Sequence, residues 1–411
     1  MTGPTDLPTL PDARFTGLLA EAKALQSHTI ELRRKIHRRP EIGLRLPETQ
    51  AAVSDALAGL PLEVRLGEST TSLTAVLRGG RPGPAVLLRA DMDALPLQED
   101  TGLEFASEID GAMHACGHDT HVAMLVSAAR LLAGRADDLA GSVVFMFQPG
   151  EEGRHGARHM IHEGVLDAAG SRATRAFALH IWGNEPSGLI FCRPGPFMAS
   201  SDAFTVTVTG RGGHGSVPHR AIDPVPAAAA MVGALHTMVT RKVHVFDPAV
   251  LSVTRITTGT TSNIIPETAE LEGTFRTLSE PVRALLRDEV PKVCEAVGAA
   301  YGCRVSVDYE FGYPPTVNDP AEAARVLALA SDLFGVSEAE EAANPLMGAE
   351  DFSYVLQRVP GAIAFLGAAP PGDDPADAAA NHSNRVMFDE GAMARGVALY
   401  AAYALDALQP E

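Results

Sequence analysis

The sequence predicts an α/β protein: a mostly parallel sheet flanked by helices, carrying an inserted ferredoxin-like (βαββαβ) domain. Three observations predict it. Short runs that are apolar at nearly every position alternate with helical stretches through the first half of the chain, as strands buried on both faces do. Near residue 200 the runs change to apolar-polar alternation, the pattern of a strand wetted on one face. From residue 202 to 311 the order is strand, helix, strand, strand, helix, strand, the split βαββαβ motif.

Taken in order, residues 13 to 38 have helical periodicity, and "RRPEIGLRLPETQ" supplies the Pro and Gly punctuation before a second helix at 47 to 59. Strands follow at "LTAVLR" (73 to 78), "AVLLRA" (85 to 90), "SVVFMF" (142 to 147) and "RAFALH" (175 to 180), with a helix at 121 to 135 between the second and third. The alternating segment begins with "DAFTVTVTG" (202 to 210), then a helix (223 to 240), strands at 249 to 257 and 267 to 277, a helix (280 to 300) and a strand at 303 to 311. From Tyr313 the earlier style returns, with helices at 320 to 335 and 390 to 407. The domains are therefore 13–200 and 313–411 together, with 201–312 inserted between them.

Bulk composition narrows the function. The 411 residues are 46% hydrophobic and 20% charged, an ordinary globular balance with ample material for large cores. A net charge of -18 repels polyphosphates, so no nucleic-acid partner is expected. The first residues lack a basic start and an apolar stretch, and no run reaches the roughly 18 apolar residues of a membrane span. A cytoplasmic protein with a short frayed leader and no membrane partner is the expectation. Four cysteines without paired spacing make no disulfide framework.

Against that background "MHACGHDTH" (113 to 121) concentrates three histidines and a cysteine. Candidate ligands recur just after strands or at helix starts: Asp91 and Asp93 after 85 to 90, Cys116 and His118 before the helix at 121 to 135, Glu151 and Glu152 after 142 to 147, and His180 closing 175 to 180. The crevice beyond the carboxyl ends of an open α/β sheet is where ligands bind, so these groups can converge. Thiolate, imidazole and carboxylate suit a divalent cation. With His382, whose surroundings read only as a loop before a helix, five donors exceed the three or four that one catalytic ion takes, and two adjacent ions fit better. Of the acidic pair, Glu152 is assigned as ligand and Glu151 as the base that moves a water's proton to a leaving amine. Asp93 is expected to hydrogen-bond a histidine and fix its tautomer. His155, His159 and His162 fall at helical spacings and read as surface or packing groups; His114 and His121 are further possible ligands, His121 reading rather as support for the helix start. His219, His244 and Cys192 read as surface or packed residues.

The motifs "ADMDALP" (90 to 96), "HACGHDTH" (114 to 121), "QPGEEG" (148 to 153), "GRGGHGSVPH" (210 to 219), "NIIPETAELEGTFRT" (263 to 277), "GAEDFS" (348 to 353) and "NHSNRV" (381 to 386) together resemble the metal-dependent aminoacylase and carboxypeptidase family. The nearest subgroup holds hippurate hydrolases, N-acyl-amino-acid amidohydrolases and auxin-conjugate hydrolases. The resemblance implies a catalytic α/β domain with two divalent ions per subunit, plus an inserted lid or dimerisation domain. It implies Cys116, His118, Glu152, His180 and His382 as ligands, and it is the main reason for including His382. It implies Glu151 as general acid/base, His214 reaching into a second subunit's site to stabilise an oxyanion, and Asn263 with Arg276 holding a substrate carboxylate. Many relatives have a metal-binding His where this chain has Asp91, and a bridging Asp in the second motif where it has Cys116 and His118. That departure leaves the metal open among zinc, manganese, cobalt and nickel. The implied activity is hydrolysis of N-acyl amino acids, a small-molecule substrate, by a homodimer or homotetramer. A dipeptidase or aminopeptidase of the same fold, or a non-catalytic metal-binding protein, are the rivals.

Overall fold

A computed structural model describes residues 15–409. The leader and the first two residues of the helix expected from residue 13 lie outside the described residues. In chain order the described elements begin with helices α1 (Leu18–Ala24), α2 (Gln26–His37) and α3 (Pro47–Leu57), then strands β1 (Leu62–Leu66), β2 (Leu73–Arg78) and β3 (Arg81–Asp91). Next come α4 (His118–Ala133), β4 (Ala140–Gln148), α5 (Gly156–His162), β5 (Ala173–Trp182), β6 (Ile190–Cys192) and β7 (Gly195–Met198). The alternating segment forms β8 (Asp202–Thr209), β9 (Gly213–His214), α6 (Pro224–Lys242), β10 (Ala249–Thr258), β11 (Ile264–Ile265), β12 (Thr268–Thr277), α7 (Glu280–Ala300) and β13 (Arg304–Phe311). The chain closes with β14 (Thr316–Asn318), α8 (Pro320–Phe334), β15 (Ala339–Glu341), α9 (Ser353–Leu356), β16 (Gly361–Gly367) and α10 (Met393–Ala407).

The chain divides into two compact units, one of residues 1–195, 318–343 and 354–411, the other of 196–317 and 344–353. The first unit holds an eight-stranded sheet in the order β1-β2-β4-β3-β5-β16-β6-β15. Its centre is parallel: β3 pairs β4 and β5 in parallel, and β5 pairs β16 in parallel. β1, β2 and the β16–β6 step are antiparallel. Every residue of β16 is buried, as are the last seven of β3, which is why these strands are apolar on both faces. Helices α4 and α10 are buried almost throughout and pack on the sheet. α8 starts with Pro320 at its first position and Asp319 accepting from the Ala321 and Glu322 N–H groups, a paired start signal that is legible in "NDPAEAA".

Two expected elements differ here. The single helix of 13 to 38 is two helices separated at Leu25. α4 begins at His118 rather than after it, because Gly117, at φ 82, turns the chain directly into the helix. Only glycine suits that position: a Cβ would sit 2.4 Å from Ile181 Cγ2.

The second unit carries a four-stranded antiparallel sheet in the order β10-β12-β8-β13, with α6 and α7 packed on it. Sequential strands one and three lie side by side, as the ferredoxin-like topology requires. β8 and β12 alternate buried and wetted residues along their length, which matches the period-two pattern. Asp202 and Arg283, both buried, make a two-pronged ion pair at 2.6 and 2.8 Å that ties α7 to β8. No helix among the described residues is long and apolar enough to cross a membrane.

Candidate metal centre

The carboxyl ends of the parallel strands build the site in the first unit. β3 ends on Asp91 and delivers Asp93 two residues later; β4 leads into the Glu151–Glu152 turn; His180 lies near the end of β5. The Asp93 carboxylate accepts the Glu151 N–H at 2.9 Å and the Glu152 N–H at 3.0 Å, so it clamps that turn. The tautomer of His118 is fixed by the Asp93 backbone instead: its carbonyl accepts from His118 Nδ1 at 2.8 Å, while the carboxylate is 3.6 Å away. The expected partner residue is thus present, with backbone and side chain dividing the work differently.

A carbonyl can only accept, so Nδ1 of His118 carries a proton and Nε2 is the nitrogen left to face a cation. The same holds for His180, whose Nδ1 donates to the Ile181 carbonyl at 2.7 Å. Cys116 Sγ lies 3.4 Å from His180 Nε2 and 3.3 Å from His382 Nε2. His382 Nε2 is in turn 3.2 Å from Glu152 Oε1. Two triads result, Cys116–His118–His180 and Cys116–Glu152–His382, each with its ligand atoms within 4.8 Å of one another, and Cys116 belongs to both. Glu151, buried, forms a further group with His118 and Glu152.

This donor set fits divalent cations. His118 Nε2 is fully buried and has no hydrogen-bond partner among the described residues, an arrangement that costs about 1–3 kcal/mol unless something else engages that nitrogen. Thiolate, imidazole and carboxylate converging at these spacings are borderline-metal ligands. Electrostatics agree. Cys116 and Glu152 beside His382 raise its imidazole to about 10, so the acidic donors gather there in a way that also suits a cation. Burial alone would lower His118, yet Asp91 and Cys116 hold it well above its usual range. His180 falls well below its usual value through burial and the neighbouring His121.

His382 comes from a loop, at φ 69, and its N–H donates to the Ala115 carbonyl at 2.8 Å. Asn381 pins that loop by donating to the Cys116 and Ile181 carbonyls and accepting from the Gly183 N–H. Asp91 has one carboxylate oxygen on His121 and the other on Arg89. His114 is buried, and burial pushes it down to about 3. His155 pairs with the Tyr354 hydroxyl at 2.9 Å, and His162 is exposed.

Cys116, His118, Glu151, Glu152, His180, His382 and Asp93 are therefore brought together. His214, Asn263 and Arg276 lie in the second unit. There His214 is exposed and pairs across the β9–β11 ribbon with Ile264, and the Gly215 N–H donates to the Asn263 carbonyl. Arg276 is half-buried on β12. Sequence reasoning gave Arg89 no part in the site and left His121 as a helix-start residue. The signal for both was "RADMD" at a strand end, taken with the i, i+3 pair His118 and His121 at the start of the next helix.

A mostly parallel α/β unit with a cluster of metal-ligand side chains at its strand ends, and a ferredoxin-like unit within the same chain, fits the class of metal-dependent hydrolases. Residues 87–406 match peptidase family M20/M25/M40. The chain belongs to that family and is an enzyme of its amidohydrolase type. It is 39% identical to thermostable carboxypeptidase 1 of Saccharolobus solfataricus over 94% of this chain and 96% of the relative. It is 33% identical to the hippurate hydrolase of Campylobacter jejuni, over 95% of this chain and all of the relative. Among solved structures it resembles Bacillus subtilis YXEP, a dinuclear metal binding peptidase of the M20 family, at a TM-score of 0.80 and 31% identity, covering 94% of this chain and 99% of that one.

Proposed function

We propose that the protein hydrolyses the amide bond of N-acyl amino acids, releasing a carboxylic acid and a free amino acid. The observation that carries this reading is Glu151: a buried carboxylate grouped with His118 and Glu152 beside a shared thiol. Cys116, His118 and His180 would hold one divalent ion, and Cys116, Glu152 and His382 the other, with zinc, manganese, cobalt or nickel as the metals. Such a pair supplies an acidified water and a polarised carbonyl. Glu151 takes the proton of the attacking water and returns it to the leaving nitrogen. Asp93, through the Glu151 and Glu152 N–H groups, keeps that turn in place. Arg276 and Asn263 hold the substrate carboxylate, a planar anion suited to a guanidinium fork. His214 donates to the developing oxyanion in a second subunit's site, so the active species is a homodimer or a homotetramer built from it. The inserted unit then serves as lid and dimerisation domain.

The likeness to a carboxypeptidase supports a second reading, a peptidase acting on short peptides. Apoprotein reconstituted with each of the four metals and offered N-acetyl and N-benzoyl amino acids beside the matching dipeptides separates the two. Preference for acylated substrates is expected. Cleavage of dipeptides alone would replace this function with the second.

A further inference from the structure

We propose that His121 is a positioning residue for the metal centre: it holds the His180–Ile181 peptide so that Nε2 of His180 faces Cys116. The inference rests on the reading of Cys116, His118 and His180 as ligands of one ion.

The observation is a split in the sheet. The β3–β5 ladder runs from Ala85↔Ala173 to Arg89↔Ala178 and ends there. Beyond it, backbone groups that a strand would satisfy are taken by side chains, because buried N–H groups need acceptors. The Leu179 N–H donates to the Tyr400 hydroxyl at 3.0 Å, and that hydroxyl donates to the Arg89 carbonyl at 2.7 Å. The Ile181 N–H donates to His121 Nε2 at 2.7 Å. Opening the strands at this level makes room for the site, and two side chains bridge the gap.

The His121 bond has one consistent protonation. With Nε2 accepting, Nδ1 carries the proton and donates it to Asp91 Oδ1 at 2.5 Å. The other Asp91 oxygen accepts from Arg89 at 2.6 Å, and Arg89 Nε donates to Gln148 Oε1 at 3.0 Å. The chain of bonds thus spans β4, β3, α4 and β5, and each of its side chains is at most 2% exposed. Its far end is Ile181, the residue that follows a ligand: His121 holds the Ile181 N–H, and the Ile181 carbonyl, in the next peptide group, accepts from His180 Nδ1 at 2.7 Å. If Ile181 shifts, His180 loses the acceptor that fixes its tautomer. The His121 ring also lies 4.6 Å from the His180 ring, centroid to centroid, limiting its swing. Asp91 is engaged on both oxygens, so its part is to orient His121, although Oδ2 is 3.6 Å from His118 Nε2.

The test compares two substitutions of near-equal polarity. In His121→Asn the amide replaces Nδ1 but falls short of the Ile181 N–H; in His121→Gln the amide oxygen reaches the place of Nε2. Zn(II) affinity is measured by competition with a chromophoric chelator, and the visible spectrum is recorded with Co(II). His121→Asn should weaken one ion by about 10–100-fold and alter the Co(II) spectrum, with His121→Gln restoring most of both. Tyr400→Phe, which removes the other bridge across the split, should lower stability and leave both metal affinities unchanged. Wild-type affinity and spectrum in His121→Asn, or an equal loss in Tyr400→Phe, would overturn the proposal. Should His121→Asn not fold, Asp91→Asn carries the same test, with a loss of about tenfold expected and no loss overturning it. Metal binding is read without turnover. A wild type that hydrolyses no N-acyl amino acid therefore defeats the proposed function and leaves this comparison standing, whereas a wild-type Co(II) spectrum lacking a thiolate band defeats the inference.

Discussion

The two triads that share Cys116 are built from different material. Cys116–His118–His180 is buried: His118 opens a helix, His180 sits in a central strand, and both imidazoles give their Nδ1 proton to a backbone carbonyl. Cys116–Glu152–His382 is assembled from a turn and a loop, and the His382 side chain is 55% exposed. The difference teaches how a fold sets one rigid and one adjustable position around a common thiol. Groups locked by secondary structure arrive pre-oriented, while groups on loops depend on local pins such as Asn381.

The largest effect should come from the residue that belongs to neither triad. Glu151→Gln should lower turnover on the order of 10²–10⁴-fold with metal content unchanged, measured by steady-state kinetics beside elemental analysis. Parallel loss of metal would make Glu151 a ligand and blur the contrast. Next, His180→Asn and His382→Asn sharpen it directly. Each should cost one ion, and His180→Asn should destabilise the metal-free protein more, since it disturbs a buried network while the His382 side chain is 55% exposed. Thermal melts in chelator decide this, and equal melting points would erase the distinction.

A smaller effect concerns the brace behind the buried triad. Asp119, next to His118 on α4, accepts from Arg33 and from His37 at 2.8 Å. Burial pulls His37 down, but Asp119 and Glu99 outweigh it and raise the imidazole to about 9. A folded-state value above the unfolded one stabilises fully below about pH 6.5, and that contribution is lost as pH rises through about 9. Wild-type stability should therefore fall by at most about 3 kcal/mol across that window, and His37→Phe should flatten the fall. Denaturant titrations at pH 6 and 9.5 measure it; an identical pH slope in the variant would contradict the brace.

Much of this was legible in sequence because pattern and function coincide. "AVLLRA" and "SVVFMF" are buried strands, and the candidate residues follow them as strand-end ligands do. The alternating "DAFTVTVTG" and the 280 to 300 helix were recognisable for the same reason. β16 was not foreseen, although it lies between β5 and β6: "GAIAFLG" is apolar throughout but short and ended by glycines, with alanine at two of its inner positions, so its own strand propensity is weak and burial between neighbouring strands decides it. β1 escaped because it is short and mostly exposed. His382 carries no local signal, since its position depends on long-range contacts of Asn381 with Cys116 and Ile181, and it entered only through the resemblance. The division of labour at Asp93 between backbone and carboxylate is invisible to a reading that assigns one role per residue.

Anomalous diffraction from crystals of the zinc- or manganese-loaded protein tests the central claim most directly. Two peaks about 3.5–4 Å apart are expected, both within bonding distance of Cys116 Sγ, one beside His118 and His180 and the other beside Glu152 and His382. A single peak, or two that do not share the thiol, would contradict it.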